Sequence, residues 1–368
     1  MILHLISDEK VVNRAIAHFE DVFPDDNFVV CFSDKNTKHV KIKKNIIFYT
    51  GGENVEIDFS KIKKVIIHFL GIDKIDFCNK FVKNVPVYWP VWGGDLYNQL
   101  LSPKGYRLYS YDTIRAIGIC SYFRYMVRLV KFRLTNYSKI VSFIKNRIDY
   151  VAANDGDYQL LKEWLHLPDR IKRFDLFYFP IDNILKEDLA GKEILPNSRN
   201  ILCGNSASFS NNHIDTLNKI KKFKNEDSDV IMPLSYSGTE KYIQYVINKG
   251  LKIYGNKFKP LTEFIPIEQY NNILQSSFIC VFSNWRQEAF GNIVMSLYLG
   301  AKIYMTKKNP LLNTILDMGC KIFALEDCNN KEEFNTPLSA DAKKQNRQII
   351  IELYNSERLH SLIKEYFK

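Results

Sequence analysis

A stretch of small and polar residues near the middle of the chain has the composition of an anion-binding loop. It reads CGNSASFSNNH, positions 203–213, and stands between an apolar run and a helical pattern. Gly204 allows a tight backbone turn, and Asn205 and Ser206 offer short hydrogen-bond donors. Ser210 or Asn211 can cap the next helix, whose N-terminus favours an anion. The loop suits a phosphate group, or it is only a well-capped loop, because it matches neither GxxxxGK[ST] nor GxGxxG.

A second polar loop, SNWRQEAFGN at positions 283–292, follows another apolar run. Arg286 supplies positive charge, Glu288 can accept hydrogen bonds from a ribose diol, and Gly291 permits close approach at a helix start. A carboxylate in this loop could therefore bind the ribose of a nucleotide. The alternative is an ordinary helix start, in which Glu288 complements the helix dipole.

A third loop combines aromatic, glycine and acidic residues in the first half of the chain. It reads WPVWGGDLY, positions 89–97. Trp92 can stack on a sugar face, and Asp95 can act as a general base. The alternative is a tight turn whose tryptophans fill the core.

Three further titratable residues belong to the first half of the chain. His4 and His68 lie in apolar runs, where a lone histidine is more often a core residue with its hydrogen bonds satisfied than a catalyst. Asp8 comes directly after the first apolar run, a better position for proton transfer, but it is equally suited to cap a helix.

Short β-branched apolar runs alternate with helical patterns and must position these loops. In the first half the runs are MILHLIS, FVVCFS, NIIFYT, KVIIHFL, VPVYWP and DYVAAN, and in the second NILCGNS, DVIMPLS, LKIYG, FICVFS and AKIYMT. This alternation is typical of parallel sheets covered by helices, in which ligands bind beyond the carboxyl ends of the strands. The fold class is therefore α/β, with two Rossmann-like domains and a cleft between them.

The polar stretch KEDLAGKEILPNSRN is the predicted linker, and it sets the domain boundaries. We expect an N-terminal domain over 1–182, a C-terminal domain over 198–340, and a last helix within 341–368 that packs back on the N-terminal domain. No apolar run approaches the roughly 20 residues that span a bilayer, and the N-terminus does not resemble a signal peptide. The seven cysteines have no zinc spacing, so neither a structural zinc site nor a disulfide framework is expected. We therefore expect a cytosolic protein, or one attached to a membrane from the cytosolic side.

The net charge of +10 is concentrated in one segment. Ten basic residues and one acid lie between Lys104 and Arg147, interleaved with tyrosine and phenylalanine. Its middle, SYFRYMVRLVKFRL, predicts an amphipathic helix with an apolar face opposite Arg124, Arg128 and Lys131. This pattern favours contact with an anionic membrane surface. The alternatives are a helix that packs its apolar face on a sheet, or nucleic-acid binding, which has only generic charge support.

Taken together, these motifs resemble a glycosyltransferase family. It is the family of bacterial 4-acetamido-4,6-dideoxy-D-galactose (Fuc4NAc) transferases of enterobacterial common antigen synthesis, also called 4-alpha-L-fucosyltransferases (glycosyltransferase family 56). The resemblance covers nearly the whole chain as scattered motifs, of which WGxDLY and GNSxxxSNxH are the most specific. The matching residues are His4, Ser7, Asp8, Asn13, His68, Trp92, Gly93, Asp95, Leu96, Tyr97, Gly204, Asn205, Ser206, Asn211, His213, Pro233, Tyr236, Arg286, Gln287 and Gly291.

The resemblance implies a GT-B enzyme, with two Rossmann-like domains whose parallel sheets face a central cleft. It implies transfer of a deoxyhexose from a nucleoside-diphosphate sugar, with dTDP favoured, to a polyprenyl-diphosphate-linked oligosaccharide at the cytoplasmic face of the bacterial inner membrane. The donor-binding candidates are Gly204, Asn205, Ser206, Asn211, His213, Tyr236, Arg286, Gln287, Glu288, Gly291 and Asn292. The acceptor and membrane candidates are Trp92, Tyr97, Arg124, Arg128 and Lys131, and the catalytic candidates are Asp95, Asp8 and His68.

No divalent metal or other cofactor is expected, because helix dipoles and basic side chains stabilise the leaving diphosphate in such enzymes. One member of the family has Gln at the position of Glu288 and Gly at that of Ala289, and Glu288 resembles the ribose-binding glutamate of other GT-B enzymes. Two other functions remain open. One is a nucleotide-sugar epimerase or phosphorylase of the same fold, and the other is a non-catalytic module that binds membranes through the basic segment.

Overall fold

The computed structural model describes residues 1–52 and 55–368, and of residues 186–188 only the backbone. The chain divides into two compact units. Unit 1 comprises residues 1–106, 128–180 and 356–368, and unit 2 comprises residues 107–127 and 181–355. The predicted end of the first domain at 182 is close to the division at Pro180. The second domain, predicted over 198–340, is longer than expected, since unit 2 extends over 181–355 and includes the predicted linker. Segment 107–127 differs, because it belongs to the second unit although it lies within the first half of the chain.

Within the described residues, unit 1 contains a seven-stranded sheet in the order β3-β2-β1-β4-β5-β6-β7, with all pairings parallel. Its strands are β1 (Ile2–Ile6), β2 (Asn27–Cys31), β3 (Ile46–Phe48), β4 (Lys64–Ile67), β5 (Val87–Pro90), β6 (Tyr150–Ala152) and β7 (Lys172–Phe174). Because the chain crosses from β3 back to β4, the strand order reverses between β1 and β4. The carboxyl ends of these two strands are therefore the expected ligand-binding edge of unit 1.

Unit 2, in the described residues, contains a six-stranded parallel sheet in the order β10-β9-β8-β11-β12-β13. Its strands are β8 (Asn200–Cys203), β9 (Val230–Pro233), β10 (Phe258–Leu261), β11 (Ser277–Phe282), β12 (Lys302–Met305) and β13 (Phe323–Ala324). Here the order reverses between β8 and β11. The two polar loops of the second half of the chain follow these two strands, so both lie at the switch point of the sheet.

Helices connect the strands in both units. They are α1 (Val12–Val22), α2 (Ile72–Phe81), α3 (Tyr111–Ile117), α4 (Ile119–Phe132), α5 (Ser138–Arg147), α6 (Asp155–Leu165), α7 (Ile181–Leu189), α8 (His213–Ile220), α9 (Glu240–Tyr254), α10 (Ile267–Ser276), α11 (Phe290–Leu299), α12 (Leu311–Asp317), α13 (Lys331–Asn335), α14 (Ala340–Leu353) and α15 (Ser356–Phe367). The segments Gly94–Leu101 and Arg133–Tyr137 are π-helical.

Two predicted elements differ from the structure. The run LKIYG, expected as a strand, is the last turn of α9, and β10 forms a few residues later. Gly250 allows this arrangement, because a Cβ there would lie 2.4 Å from the ring of Phe258, the first residue of β10. The single helix expected near the C-terminus is two helices, since α14 ends at Leu353 and α15 begins at Ser356. α15 belongs to unit 1, where Phe367 packs against Phe19 and Tyr88.

Candidate active site

The loops after β8 and β11 meet at Glu288. Its Oε2 atom accepts hydrogen bonds from Asn284 Nδ2 at 3.1 Å, from Arg286 Nε at 3.0 Å and from the Ser210 hydroxyl. Ser210 follows β8, whereas Asn284 and Arg286 follow β11, so this carboxylate joins the two loops at the switch point of unit 2. In the part of the chain that the structure describes, no donor is assigned to the other oxygen, Oε1. The side chains of Arg286 and Glu288 are 19% and 13% exposed, which leaves the pair within reach of a ligand.

The loop after β8 has the tight turn expected from its sequence. Gly204 has φ of +70°, and a Cβ at this position would lie 2.6 Å from Asn211 Oδ1. That oxygen accepts a hydrogen bond from the backbone N–H of Asn205 at 3.2 Å, which ties the start of the loop to its end. A side chain at position 204 would break this closure, because it would both strain the backbone and displace Asn211.

His213 was predicted beside the donor diphosphate, but it is buried at the start of α8. Its Nε2 bonds to the Ser206 carbonyl at 2.8 Å, and its Nδ1 bonds to the Tyr242 hydroxyl at 2.9 Å. The carbonyl only accepts, so Nε2 carries the proton and Nδ1 accepts from the tyrosine. Burial lowers the pKa of His213 to about 4, so the ring is neutral near pH 7. It holds the loop in place and brings no positive charge to an anion.

Asn205 and Tyr236 form the outer part of the same loop cluster. Asn205 Nδ2 donates to the Tyr236 hydroxyl at 3.2 Å. The Tyr236 side chain is 55% exposed, and its pKa is raised by burial of the hydroxyl region and by the negative charge of Glu288. The resemblance assigned both residues to donor binding. The structure places them together beside Glu288, where an aromatic face and an amide are open to a ligand.

The start of α11 combines backbone strain with open space. Ala289, just before the helix, has φ of +63°, a left-handed conformation that favours glycine. Gly291 is exposed, and a Cβ added there would meet no atom within 4 Å. Asn292 Nδ2 donates to the Tyr270 hydroxyl at 2.8 Å. Packing among the described residues does not require glycine at 291, and the N-terminus of α11 is open at this position.

The sequence did not predict that segment 107–127 would contribute to this region of unit 2. Asn212 Oδ1 accepts from the Ser110 backbone N–H at 2.9 Å, and Asn212 Nδ2 donates to the Leu108 carbonyl at 3.3 Å. Tyr109, between these two residues, stacks edge-on against Phe209 with ring centroids 6.1 Å apart. Burial and the neighbouring Tyr125 raise the pKa of Tyr109, whereas the positive charge of Arg286 lowers it. Asn212 was part of the predicted loop, but only the fold shows what it holds.

In unit 1, Asp95 is a buried anchor of the WGGDLY turn. Its side-chain oxygens accept from Trp89 Nε1 at 2.8 Å and from the backbone N–H groups of Leu70, Trp92 and Leu96 at 2.9–3.0 Å. The residue is 1% exposed. Burial raises its pKa, and these four hydrogen bonds oppose the rise. The predicted role as general base differs from this arrangement, because a base must reach the hydroxyl that it deprotonates.

Tyr97, predicted at the acceptor site, is also buried, and its hydroxyl donates to Asp157. It therefore packs inside unit 1 and offers no exposed face. Trp92 is half-buried at the carboxyl edge of the sheet, with its ring edge-on to His68 at 6.0 Å and to Tyr178 at 5.9 Å. Of these two acceptor candidates, Trp92 is the one placed at a surface that a sugar can reach.

His68 belongs to a buried hydrogen-bonded chain. Its Nε2 bonds to His4 Nδ1 at 3.1 Å and its Nδ1 to the Tyr178 hydroxyl at 3.0 Å, while His4 Nε2 bonds to Asn27 Oδ1 at 3.0 Å. Asn27 Nδ2 already donates to the Phe23 carbonyl, so its Oδ1 must accept from His4. Each ring then donates through Nε2 and accepts through Nδ1, and Tyr178 donates to His68. Burial lowers the pKa of both histidines, that of His4 to about 4.

Asp8 lies just beyond the carboxyl end of β1, at the switch point of unit 1. Its carboxylate accepts three backbone N–H groups, from Lys38 at 2.7 Å, His39 at 2.8 Å and Val40 at 2.9 Å. Desolvation acts to raise its pKa, but the three hydrogen bonds outweigh it, so the pKa is lowered. Of the three catalytic candidates, Asp95 and His68 are buried, and Asp8 is half-exposed.

The apolar face predicted for the basic helix is largely open to solvent. On α4, Ile119 is 76% exposed, Phe123 67% and Val130 54%, whereas Leu129 is buried. The predicted basic residues on the other side are exposed as well; they are Arg124, Arg128 and Lys131. The alternative in which α4 packs its apolar face on a sheet is therefore wrong. Among the described residues, no helix is both long and apolar enough to cross a bilayer.

A family model of glycosyltransferases matches this chain over residues 125–351, well over half of its length. The family is described as 4-alpha-L-fucosyltransferase, glycosyl transferase group 56. The chain belongs to this family. The resemblance inferred from the motifs is thereby confirmed, and the protein is a glycosyltransferase of the fucosyltransferase family.

Solved structures share its fold at low sequence identity. A glycosyltransferase from Rickettsia africae ESF-5 has a TM-score of 0.63 at 13% identity, and the alignment covers 99% of this chain and 96% of the Rickettsia chain. Sucrose-phosphate synthase from Thermosynechococcus elongatus has a TM-score of 0.64 at 11% identity, with 100% and 98% covered. Anabaena HepE, in complex with UDP, has a TM-score of 0.64 at 12% identity, with 99% of both chains covered. The chain therefore has the GT-B fold, as predicted.

Proposed function

We propose that this glycosyltransferase moves a deoxyhexose, Fuc4NAc- or fucose-like, from a nucleoside-diphosphate sugar to a polyprenyl-diphosphate-linked oligosaccharide of a bacterial surface polysaccharide. One observation carries the donor part of the proposal. The loops after β8 and β11 converge on Glu288 at the switch point of unit 2, with Arg286 beside it and free space at Gly291. Membership of the fucosyltransferase family supports the choice of sugar class. dTDP is the favoured nucleotide.

In the donor complex, Glu288 accepts a hydrogen bond from the ribose diol through Oε1, since three donors already hold Oε2. The diphosphate lies against the N-terminus of α11 at Gly291, where unpaired backbone N–H groups favour an anion. Arg286 adds positive charge as the leaving diphosphate forms. Tyr236 and Asn205 flank the nucleotide, and His213 keeps the loop after β8 in shape. We propose that these groups do the work of a divalent cation, so added Mg²⁺ or Mn²⁺ leaves the rate unchanged.

Unit 1 takes the acceptor in this proposal. Trp92, at the carboxyl edge of its sheet, offers a face on which an acceptor sugar stacks. Asp8 accepts a hydrogen bond from the acceptor hydroxyl and takes its proton if the reaction inverts. It is half-exposed and ionised at neutral pH, and its three backbone hydrogen bonds fix the direction of its lone pairs. Asp95 and Tyr97 support the turn that carries Trp92.

Contact with the cytoplasmic face of the inner membrane is proposed for α4. Its exposed apolar side chains enter the headgroup region, while Arg124, Arg128 and Lys131 bind anionic lipid. Each basic residue near such a surface contributes about 1 kcal/mol, so three together change vesicle binding by roughly 100-fold. A peripheral enzyme attached in this way reaches an acceptor whose lipid stays in the bilayer.

The donor site is tested by titrating the protein with dTDP, UDP and GDP in a calorimeter. We expect one nucleotide per chain, and roughly tenfold weaker binding for Glu288→Gln, which keeps the size of the side chain but removes its charge. Glu263→Gln, at an exposed position of the same unit, is the matched control and should bind as wild type does. If no nucleotide binds, or if both variants bind equally well, the donor assignment is wrong.

Turnover decides between the transferase and the two other functions. We expect release of nucleoside diphosphate only when a lipid-linked oligosaccharide is present in vesicles. An epimerase or phosphorylase would convert the nucleotide sugar without a lipid-linked acceptor. A non-catalytic module would bind vesicles without binding any nucleotide.

A further inference from the structure

Two histidines and one aspartate converge where α1 and α15 pack together. His18 and Asp21 lie one turn apart on α1, and His360 lies on α15. The His18 Nδ1 and His360 Nε2 atoms are 3.3 Å apart. Asp21 Oδ2 lies 3.9 Å from the former and 3.7 Å from the latter. All three residues belong to unit 1, and in the described chain they form the group of His, Cys, Asp or Glu side chains close enough to share a metal ion.

These separations are close to those of ligands around a tetrahedral metal. Zinc bonds to nitrogen and oxygen are about 2.0–2.2 Å long, so two ligand atoms on a tetrahedron are roughly 3.3–3.5 Å apart. The His18–His360 distance equals this edge. The Asp21 distances exceed it by a few tenths of an ångström, within the reach of one rotation of an exposed carboxylate whose side chain is 59% accessible. A hydrogen bond between the two histidines accounts for one contact, and the Asp21 carboxylate lies beside both rings.

The two helices hold the ligands in place. Phe19, next to His18, packs edge-on against Phe367 of α15 with ring centroids 5.0 Å apart, and Leu359, next to His360, is buried. His18 is itself buried, whereas His360 is one-third exposed, so an ion can enter from the solvent side. A pre-formed pair of ligands on packed helices, with a third that is free to turn, is the arrangement that binds a metal without reorganisation of the fold.

We propose that His18, Asp21 and His360 bind one Zn²⁺ ion, with water as the fourth ligand, and that this ion links α15 to α1. Two imidazoles and a carboxylate suit zinc and its neighbours in the first transition row. α1 begins at Val12, near the carboxyl edge of the sheet, and His18 lies six residues later. The site is therefore about 9 Å from the start of the helix, measured along its axis. The ion therefore stabilises unit 1, closing the chain between positions 18 and 360, and takes no part in sugar transfer.

Zinc uptake by the full-length, untagged protein tests this proposal. After treatment with a chelator, the protein is titrated with Zn²⁺ against a chromophoric competitor, and then with Co²⁺. We expect one ion per chain, a tetrahedral cobalt spectrum without thiolate bands, and binding weakened more than tenfold in His360→Gln and Asp21→Asn. Zn²⁺ should also raise the Tm and slow amide exchange in α15 in wild type only. His166→Asn, on α6's C-terminal turn, is the matched histidine control and should bind as wild type does.

Three results would overturn the proposal. The first is that the protein takes up no Zn²⁺ at a free Zn²⁺ concentration of about 100 µM without the competitor, which is well above the dissociation constant expected of a specific site. The second is equal affinity in wild type and His360→Gln. The third is a cobalt spectrum with thiolate bands, which would assign the ion to an exposed cysteine such as Cys120. Because His360 is partly exposed, His360→Gln should keep the fold, and circular dichroism of the metal-free variant verifies it.

Discussion

Replacing Gly291 by alanine should stabilise the protein and weaken donor binding at the same time. Gly291 lies in the first turn of α11 with a negative φ, and a Cβ there meets no atom within 4 Å. Alanine restricts the unfolded chain and favours the helix, so we expect the free energy of unfolding to rise by about 0.5–1 kcal/mol. For a unit of this size, that corresponds to a Tm increase of roughly 1–4 °C.

The same methyl group occupies the space in which the donor diphosphate is proposed to approach the helix. We expect nucleoside-diphosphate binding to weaken at least tenfold, about 1.4 kcal/mol, in a calorimetric titration. Gly204→Ala is the contrasting variant. It should lower the Tm, because φ is +70° and the new Cβ would lie 2.6 Å from Asn211 Oδ1. If Gly291→Ala has a higher Tm and binds nucleotide like wild type, the diphosphate does not lie at this helix start.

Three other predictions concern stability and membrane binding. The folded-state pKa of His213 is about 4 against 6.5 when unfolded, so its contribution is complete above pH 6.5 and is lost as the pH falls toward 4. Urea unfolding should therefore show about 2 kcal/mol of loss between pH 7 and 5 that is absent in His213→Gln. Asp95→Asn should lower the free energy of unfolding by about 2–4 kcal/mol in the same assay, because an amide cannot accept from all four donors. An undiminished stability would contradict the anchoring role. Flotation with anionic vesicles should fall by roughly 100-fold, with nucleotide binding unchanged, when alanine replaces Arg124, Arg128 and Lys131.

The local patterns predicted most of the strands and the fold class. Buried parallel strands are short β-branched runs between polar loops, and nearly every such run is a strand in the structure. LKIYG was the exception, because Thr239 caps α9 and the helix continues through that run to Gly255. β7 and β13 were not predicted, since each is a very short edge strand with little apolar pattern of its own.

The candidate site could be predicted only in part. The two loops of unit 2 were identified from their residue types, and the strand order then placed them side by side. Their internal contacts could not be predicted, because they depend on side chains distant in sequence. Ser210 reaches Glu288 across 78 positions, and Ser110 joins Asn212 across 102. Burial likewise changed the roles expected for His213 and Asp95, since a group without access to solvent holds a loop and does not touch a ligand.

By itself, the sequence determined the class of the protein. Short-range patterns define parallel α/β units, and the motif GNSxxxSNxH, carried by neighbouring residues, lies within the part of the chain that matches the glycosyltransferase family. Only the tertiary structure decided which polar groups meet. Two strands adjacent in a sheet bring Glu288 to its donors, and two packed helices bring His18 to His360 across 342 positions. Such contacts arise from the packing of whole elements, which no local spacing encodes.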